Sequence, residues 1–257
     1  MGKDKITYAQ QVCIKSAGKA MQRAGMIRPG ARVGIAVSGG VDSWVMLEVL
    51  RRRQRIVPFR YDIMALHLNP GFDPHNHQPL VDYLKRYGVA GHIEVTDFGP
   101  RGHSPENRKN SACFYCAMLR RTRLFELCHQ YRLTHLAFGH NADDLVTTFF
   151  MNMVQNGRVD GMKMADPFFR GELLVIRPML LVEKADIIRA ARQWNLEVWD
   201  NPCPSSGNSN RAVFQNKVKS LYGEDKMLKK NLFNALRKWQ LSLAEQTAVT
   251  SDGEDHA

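Results

Sequence analysis

The chain has 257 residues, enough for one large or two small domains with a real core, and 36 Lys and Arg against 25 Asp and Glu leave a net charge of +11. That balance favours a polyanionic partner such as nucleic acid. No run of about 18 apolar residues could span a bilayer, the polar start MGKDKITYAQQ is no secretory signal, and an odd count of five cysteines speaks against a closed disulfide framework; a cytoplasmic protein with no membrane partner is expected.

Residues 5–26 place Ile6, Ala9, Val12 or Cys13, Ala17, Ala20, Met21 and Ala24 at near-helical spacing, which predicts an amphipathic leading helix ending near Gly25. ARVGIAVS (31–38) reads as a short buried strand and DSWVMLEVLRRR (42–53) as the helix after it, its basic run a solvated end rather than a binding site. YDIMALHLN (61–69) is a second strand, PLVDYLKRYG (79–88) a helix with a glycine stop, and GHIEVTDF (91–98) a third strand. A polar loop over 99–112 leads into the helix CFYCAMLRRTRLFELCHQYR (113–132). THLAFGH (134–140) is a fourth strand, NADDLVTTFFMNMVQNG (141–157) its helix and ELLVIRPML (172–180) a fifth strand. KADIIRAARQWN (184–195) is a further helix, and LEVWD (196–200) a short extension.

This alternation predicts an α/β fold: a doubly wound, mostly parallel five-stranded sheet with helices on both faces. Ligands of such sheets bind beyond the carboxyl ends of the strands. The expected division is an N-terminal helix over 1–27, a catalytic domain over 28–207, a C-terminal helical segment over 208–245 and a disordered tail over 246–257.

At the first carboxyl end stands SGGVDS, residues 38–43. Two glycines in a strand-to-helix turn let the backbone approach a ligand, and fresh helix amides with small hydroxyls suit an anion. The stretch has the spacing of neither G-x-x-x-x-G-K-[ST] nor G-x-G-x-x-G. Cys113 and Cys116 open a helix, and Cys203 follows far along in DNPCPSSG. Two thiolates at this spacing suit a redox pair, a metal or a cluster; zinc would need a fourth ligand, for which His103, His129 and His140 are candidates. Cys13 and Cys128 fall on apolar helix faces and read as buried small hydrophobes. Asn141 is placed to cap the helix whose first turn carries Asp143 and Asp144, a structural arrangement that also leaves carboxylates free for chemistry.

SGGVDS resembles the PP-loop of ATP pyrophosphatases, which cleave ATP between the α- and β-phosphates to adenylate a substrate. The resemblance implies that Ser38, Gly39, Gly40 and Ser43 hold the pyrophosphate portion, with Asp42 organising the loop or a Mg²⁺ ion. Taken in order over about residues 5–240, SGGVDS, CFYC, GHNADD, VIRPML and PCPSSGNSNR resemble the tRNA 2-thiocytidine synthetase family. Family members usually carry lysine where this chain has Val41. The resemblance implies a 4Fe–4S cluster on Cys113, Cys116 and Cys203, with Cys113 and Cys203 close to the chemistry.

It further implies adenine recognition by the backbone of Leu66, His67 and Leu68, and an ATP site completed by Gly139 and Arg177, with Lys184 a further basic position near the nucleotide; for Arg177 and Lys184 a side chain lying along the surface is an equal alternative. Asp143 first and Asp144 second are the catalytic carboxylates, and His140 is an orienting or packed histidine as readily as a catalyst. Arg120 faces the cluster and the activated base, Arg121 and Arg123 face solvent or RNA, and Arg211, Lys217 and Lys219 touch tRNA phosphates. The expected reaction adenylates the C2 carbonyl oxygen of an unpaired cytidine and replaces it with sulfur. Its cofactors are ATP, Mg²⁺ and the cluster, and its partners are tRNA, a sulfur donor (a cysteine desulfurase or free sulfide) and a second copy in a homodimer. The alternatives are another adenylating enzyme of this fold (an amidotransferase, a ligase or a small-molecule sulfurtransferase) and a non-catalytic nucleotide- or metal-binding module.

Overall fold

A computed structural model describes residues 6–108, 111–207 and 210–253. Helix α1 spans Tyr8–Arg23 and starts at a reciprocal cap, in which the Thr7 hydroxyl accepts from the Gln10 amide and the Gln10 side chain accepts from the Thr7 amide. Its small face, Cys13, Ala17, Ala20 and Met21, is buried against neighbouring helices. Strand β1 (Arg32–Ala36) leads into α2 (Val41–Arg53), and β2 (Asp62–Asn69) into α3 (Gln78–Tyr87), which Gly88 ends in the left-handed conformation. Strand β3 (Ala90–Val95) is followed by α4 (Phe98–Gly102) and α5 (Ala112–Gln130), and β4 (His135–Ala137) by α6 (Ala142–Asn156). Strands β5 (Ala165–Phe168) and β6 (Leu173–Ile176) precede α7 (Lys184–Gln193), α8 (Asn210–Tyr222) and α9 (Lys226–Gly253).

The sheet has six strands in the order β3-β2-β1-β4-β6-β5, parallel except for β5, which pairs antiparallel with β6. Chain direction across the sheet reverses between β1 and β4, the switch point where ligands of doubly wound sheets bind. Side chains alternate between two cores. Ile35, Ala65, Ala137 and Ile176 face the core shared with α1, α2, α3 and α7, while Leu66, Leu136 and Val175 face Leu124, Leu127 and Cys128 of α5.

Several expectations need correcting. The sheet has a sixth strand, β5, whose sequence Ala165-Asp166-Pro167-Phe168 carries no alternating apolar signal; proline is tolerated there because the strand lies at an edge. The polar loop over 99–112 contains the tail of the short helix α4. LEVWD adds no strand, and the chain from Trp199 onward instead lies across the end of β1. The basic run is structural as well as terminal: Arg51 and Arg52 pair with Glu48, which is buried and also accepts from the Tyr83 hydroxyl. Helix α9 runs to Gly253, so of the tail expected over 246–257 only residues 254–257 lie outside the described residues. No helix among the described residues is long and apolar enough to cross a membrane.

Candidate active site

Residues 38–43 form the turn between β1 and α2. Gly39 takes φ +93°, a conformation that side chains disfavour, and Gly40 precedes the helix without a side-chain cap. The first-turn amides of α2 are therefore left without a side-chain acceptor, as an anion site requires. The hydroxyls of Ser38 and Ser43 lie 3.2 Å apart; the Ser38 amide donates to Ser43 Oγ at 3.1 Å, and Ser43 Oγ donates to the Gly40 carbonyl at 2.8 Å. Gly139, just past β4, passes so close to this helix start that a Cβ would lie 3.0 Å from the Ser43 nitrogen. Two strand ends thus meet at one helix N-terminus.

Asn141 caps α6 by accepting from the amides of Asp143 and Asp144, and Asp144 Oδ2 returns the bond to the Asn141 amide at 3.0 Å. Asn141 Nδ2 also donates to Asp42 Oδ1 at 2.9 Å, and Asp42 Oδ2 is paired with the Lys184 ammonium. Asp143 turns the other way and accepts the backbone amide of Lys184 at 2.8 Å, at the start of α7. Asp144 Oδ1 accepts from Arg211 at 3.0 Å.

These elements enclose a cavity of about 590 Å³ beyond the ends of β1, β4 and β6. Its polar wall carries Ser38, Ser43, Asp42, Asp144 and Asp166, and three arginines, Arg120, Arg121 and Arg177, point into it. Phe125, Phe138 and Phe168 supply an aromatic side. The Nε atoms of Arg120 and Arg177 and the Nδ1 of His140 are buried there without a protein partner, so the wall offers unspent hydrogen-bonding capacity to a ligand. Burial lowers the pKa of both arginines below the usual guanidinium value, opposed at Arg120 by Cys116 and at Arg177 by Asp166. Burial also lowers that of His140 to about 4, so its imidazole is neutral near pH 7.

Cys113 and Cys116 occupy the first turns of α5, and Cys203 approaches them from the segment after α7. Burial raises the pKa of the Cys116 thiol, Arg120 opposes the shift, and Cys203 and Cys113 add to it, which places all three sulfurs in electrostatic range of one another. Among the described residues no three His, Cys, Asp or Glu side chains converge on the position of a single ion. Three cysteine thiolates are a soft donor set, of the kind that zinc and iron–sulfur clusters both take. His103 is committed elsewhere: its Nδ1 lies 3.0 Å from the Gly99 carbonyl and its Nε2 2.8 Å from the Ser205 hydroxyl. Cys13 and Cys128 are buried, and burial pushes both thiols up to about 12, as expected of inert core residues.

Several expected positions move. Asp144 rather than Asp143 lines the cavity, because the capping geometry points successive carboxylates apart. Leu66, His67 and Leu68 do not line it: the Leu66 carbonyl accepts from the Val37 amide at 2.9 Å and the leucine side chains lie beneath α5. Arg121 faces the cavity, and Arg123 is held by Glu94 and Glu126 rather than left open to RNA. Arg211 is occupied by Asp144, and Lys219 lies beside Asp143 in a small crevice of α8. Asn208 and Ser209 of the PCPSSGNSNR motif lie outside the described residues. Asp42 and Asp144 are each met by a cationic side chain, Lys184 and Arg211. Asp166 and Phe168 were not legible as site residues, because their strand carried no signal of its own.

Residues 10–221 match the family model described as PP-loop domain. A tRNA-cytidine(32) 2-sulfurtransferase of Geobacter sulfurreducens is 33% identical over 236 residues, 91% of this chain and 91% of its own. The enzyme of the same name from Burkholderia lata is 34% identical over 235 residues, 88% of this chain and 68% of its own. Among solved structures, the U34-tRNA thiolase NcsA from Methanococcus maripaludis with its [4Fe-4S] cluster superposes with a TM-score of 0.70 at 21% identity, over 90% of this chain and 80% of that one. The NH3-dependent NAD synthetase of Campylobacter jejuni gives a TM-score of 0.51 at 13% identity, over 92% of this chain and 94% of that one, a likeness of fold alone.

Proposed function

The chain belongs to the PP-loop family and, within it, to the tRNA-cytidine(32) 2-sulfurtransferases, and from that membership we propose that it thiolates cytidine in tRNA at the expense of ATP. The observation that carries the reading is one cavity lined both by Ser38, Asp42 and Ser43 of the turn and by Arg120, which neighbours Cys116. A cavity lined in that way would bring an activating nucleotide and a sulfur-carrying centre to the same base.

The amides at the start of α2 and the hydroxyls of Ser38 and Ser43 would take the β- and γ-phosphates, with Arg177 and Arg121 balancing charge as pyrophosphate departs. An unpaired cytosine would lie against the Phe125, Phe138 and Phe168 side, where rings offer a stacking surface. Its C2 oxygen attacks the α-phosphorus, the bond to the bridging oxygen breaks, and pyrophosphate leaves. Sulfur at the sulfide level then attacks C2, and the C2–O bond breaks with AMP as the leaving group. Neutral His140 and the Asp144 carboxylate would orient the base and accept its protons. Arg120, beside Cys116, would steady negative charge between the base and the thiolates. The thiolates of Cys113, Cys116 and Cys203 would hold a 4Fe–4S cluster, which supplies an iron without a protein ligand to carry the sulfur.

The test is mass analysis of tRNA nucleosides from cells lacking the protein, with wild type and Asp144→Asn returned on a plasmid. The reading expects 2-thiocytidine to vanish and to return only with wild type. Unchanged thiolation would remove the tRNA substrate, and pyrophosphate release from ATP by the purified protein would then separate another adenylating enzyme from a binding module.

A further inference from the structure

Between α7 and Cys203 the chain has no regular secondary structure, yet it is fastened to the phosphate turn. The Trp199 amide donates to the Gly39 carbonyl at 3.2 Å, and Asn201 Nδ2 donates to the Ser38 carbonyl at 3.3 Å. The Trp199 indole lies against Gly39 so closely that a Cβ at Gly39 would overlap it. Asn201 is itself held from behind: its Oδ1 accepts from Asn76 at 2.9 Å, and Asn76 accepts from Asn69, at the end of β2, at 3.1 Å. The Cys203 amide then donates to the Asn201 carbonyl at 2.7 Å. The third thiol is therefore one tight turn away from the backbone that would hold phosphate.

Beneath this strap two buried groups are unpaired. The Trp199 indole nitrogen and the His67 Nε2 have no partner, although their rings meet edge-on with centroids 5.6 Å apart. His67 Nδ1 lies 2.8 Å from the Val37 carbonyl, which only accepts, so the ring proton sits on Nδ1 and Nε2 is an acceptor. A buried donor and a buried acceptor beneath the strap are thus both unspent.

We propose that Trp199 and Asn201 are positioning residues that couple the nucleotide turn to Cys203, so that phosphate in the turn fixes the strap and with it the third thiolate. The proposal rests on the reading of the turn as an ATP site. Phosphate bound by the amides of residues 38–43 orients that backbone, and the Ser38 and Gly39 carbonyls to which the strap is bonded are part of it. The coupling is reciprocal: a fixed Cys203 holds the turn in its binding form.

Hydrogen–deuterium exchange on the full chain, purified anaerobically, tests this with and without saturating α,β-methylene-ATP. In wild type the nucleotide should slow exchange both at 38–43 and at 199–203, the latter by at least about fivefold, the lower end of ordinary coupling. In Asn201→Ala, saturated in the same way, protection at 38–43 should persist while that at 199–203 falls away. Protection confined to 38–43 in wild type, or fully kept at 199–203 in Asn201→Ala, overturns the coupling. A turn that gains no protection in wild type overturns the ATP reading itself, and the proposal with it.

Discussion

Arg211, at the start of α8, reaches back to the cavity wall and places its Nη2 3.0 Å from Asp144 Oδ1 and 3.3 Å from the Thr148 hydroxyl. The C-terminal helices are thereby tied to the carboxylate best placed to meet a substrate base. Both side chains keep partial contact with solvent, so the pair contributes little to folding, below about 1 kcal/mol.

That small stake in stability makes the pair a clean probe of chemistry. Asp144→Asn keeps the cap on the Asn141 amide and loses the charge; tRNA-dependent pyrophosphate release should fall by about 10²-fold or more, with the urea midpoint nearly unchanged. Asp143→Ala should act differently, because Asp143 holds the start of α7. Its loss should appear in the urea midpoint rather than selectively in turnover.

Gly39 allows a second prediction. Alanine there meets both a left-handed backbone angle, φ +93°, and the Trp199 indole. The backbone term alone costs about 1–3 kcal/mol, and relieving the overlap displaces the strap. Gly39→Ala should therefore weaken α,β-methylene-ATP binding by calorimetry by about tenfold or more, a loss of about 1.4 kcal/mol. Gly40→Ala, where a Cβ would meet nothing nearer than Ser38 Oγ at 3.6 Å, should be milder.

These two cases also divide what is legible in the sequence from what is not. SGGVDS announces its turn because local backbone chemistry requires glycine and small hydroxyls at fixed offsets. The parallel strands announce themselves through runs of valine, isoleucine and leucine flanked by turn residues, such as β1 and β2. Trp199 and Asn201 carry no such signal, since their role arises only when a distant segment docks on Ser38 and Gly39. Arg121 and Arg123 show the same limit: two residues apart on one helix, one enters the cavity and the other is taken by Glu94 on β3. Strand β5 was hidden for another reason, being four residues long with a proline at its third position.

Buried His67 predicts how stability depends on pH. Burial lowers its pKa from 6.5 to about 4, despite the opposing bond to the Val37 carbonyl. The unfolded chain binds this proton more readily than the folded one, so stability is fully present above pH 6.5 and is lost as pH falls towards about 4. The loss attributable to His67 approaches about 3 kcal/mol at the acid end. Urea midpoints should drop between pH 7 and pH 5, and the drop should shrink in His67→Gln, which donates an amide hydrogen but does not titrate. An unchanged drop in that variant would assign the effect to other groups, His140 first, whose pKa is lowered to about 4 by the same cause.

The five cysteines make the final prediction, because their environments separate them into two groups. Cys13 and Cys128 are buried at 0% and 2% exposure, and a thiol pushed up to about 12 is neither a ready ligand nor a nucleophile. Cys113 is exposed, while Cys116 and Cys203 are half-buried, Cys116 beside Arg120. After anaerobic reconstitution with iron and sulfide, wild type should absorb near 400 nm and hold about four irons per chain, as a cubane does. Serine at 113, 116 or 203 should each lower bound iron sharply while leaving the far-ultraviolet dichroism intact. Cys13→Ala and Cys128→Ala should bind iron like wild type and differ only in stability, by the cost of a small core cavity, about 1 kcal/mol. Iron retained in all three serine variants would take the cluster away from these residues. Zinc in place of iron, at one ion per chain, would leave them as ligands and remove the cubane.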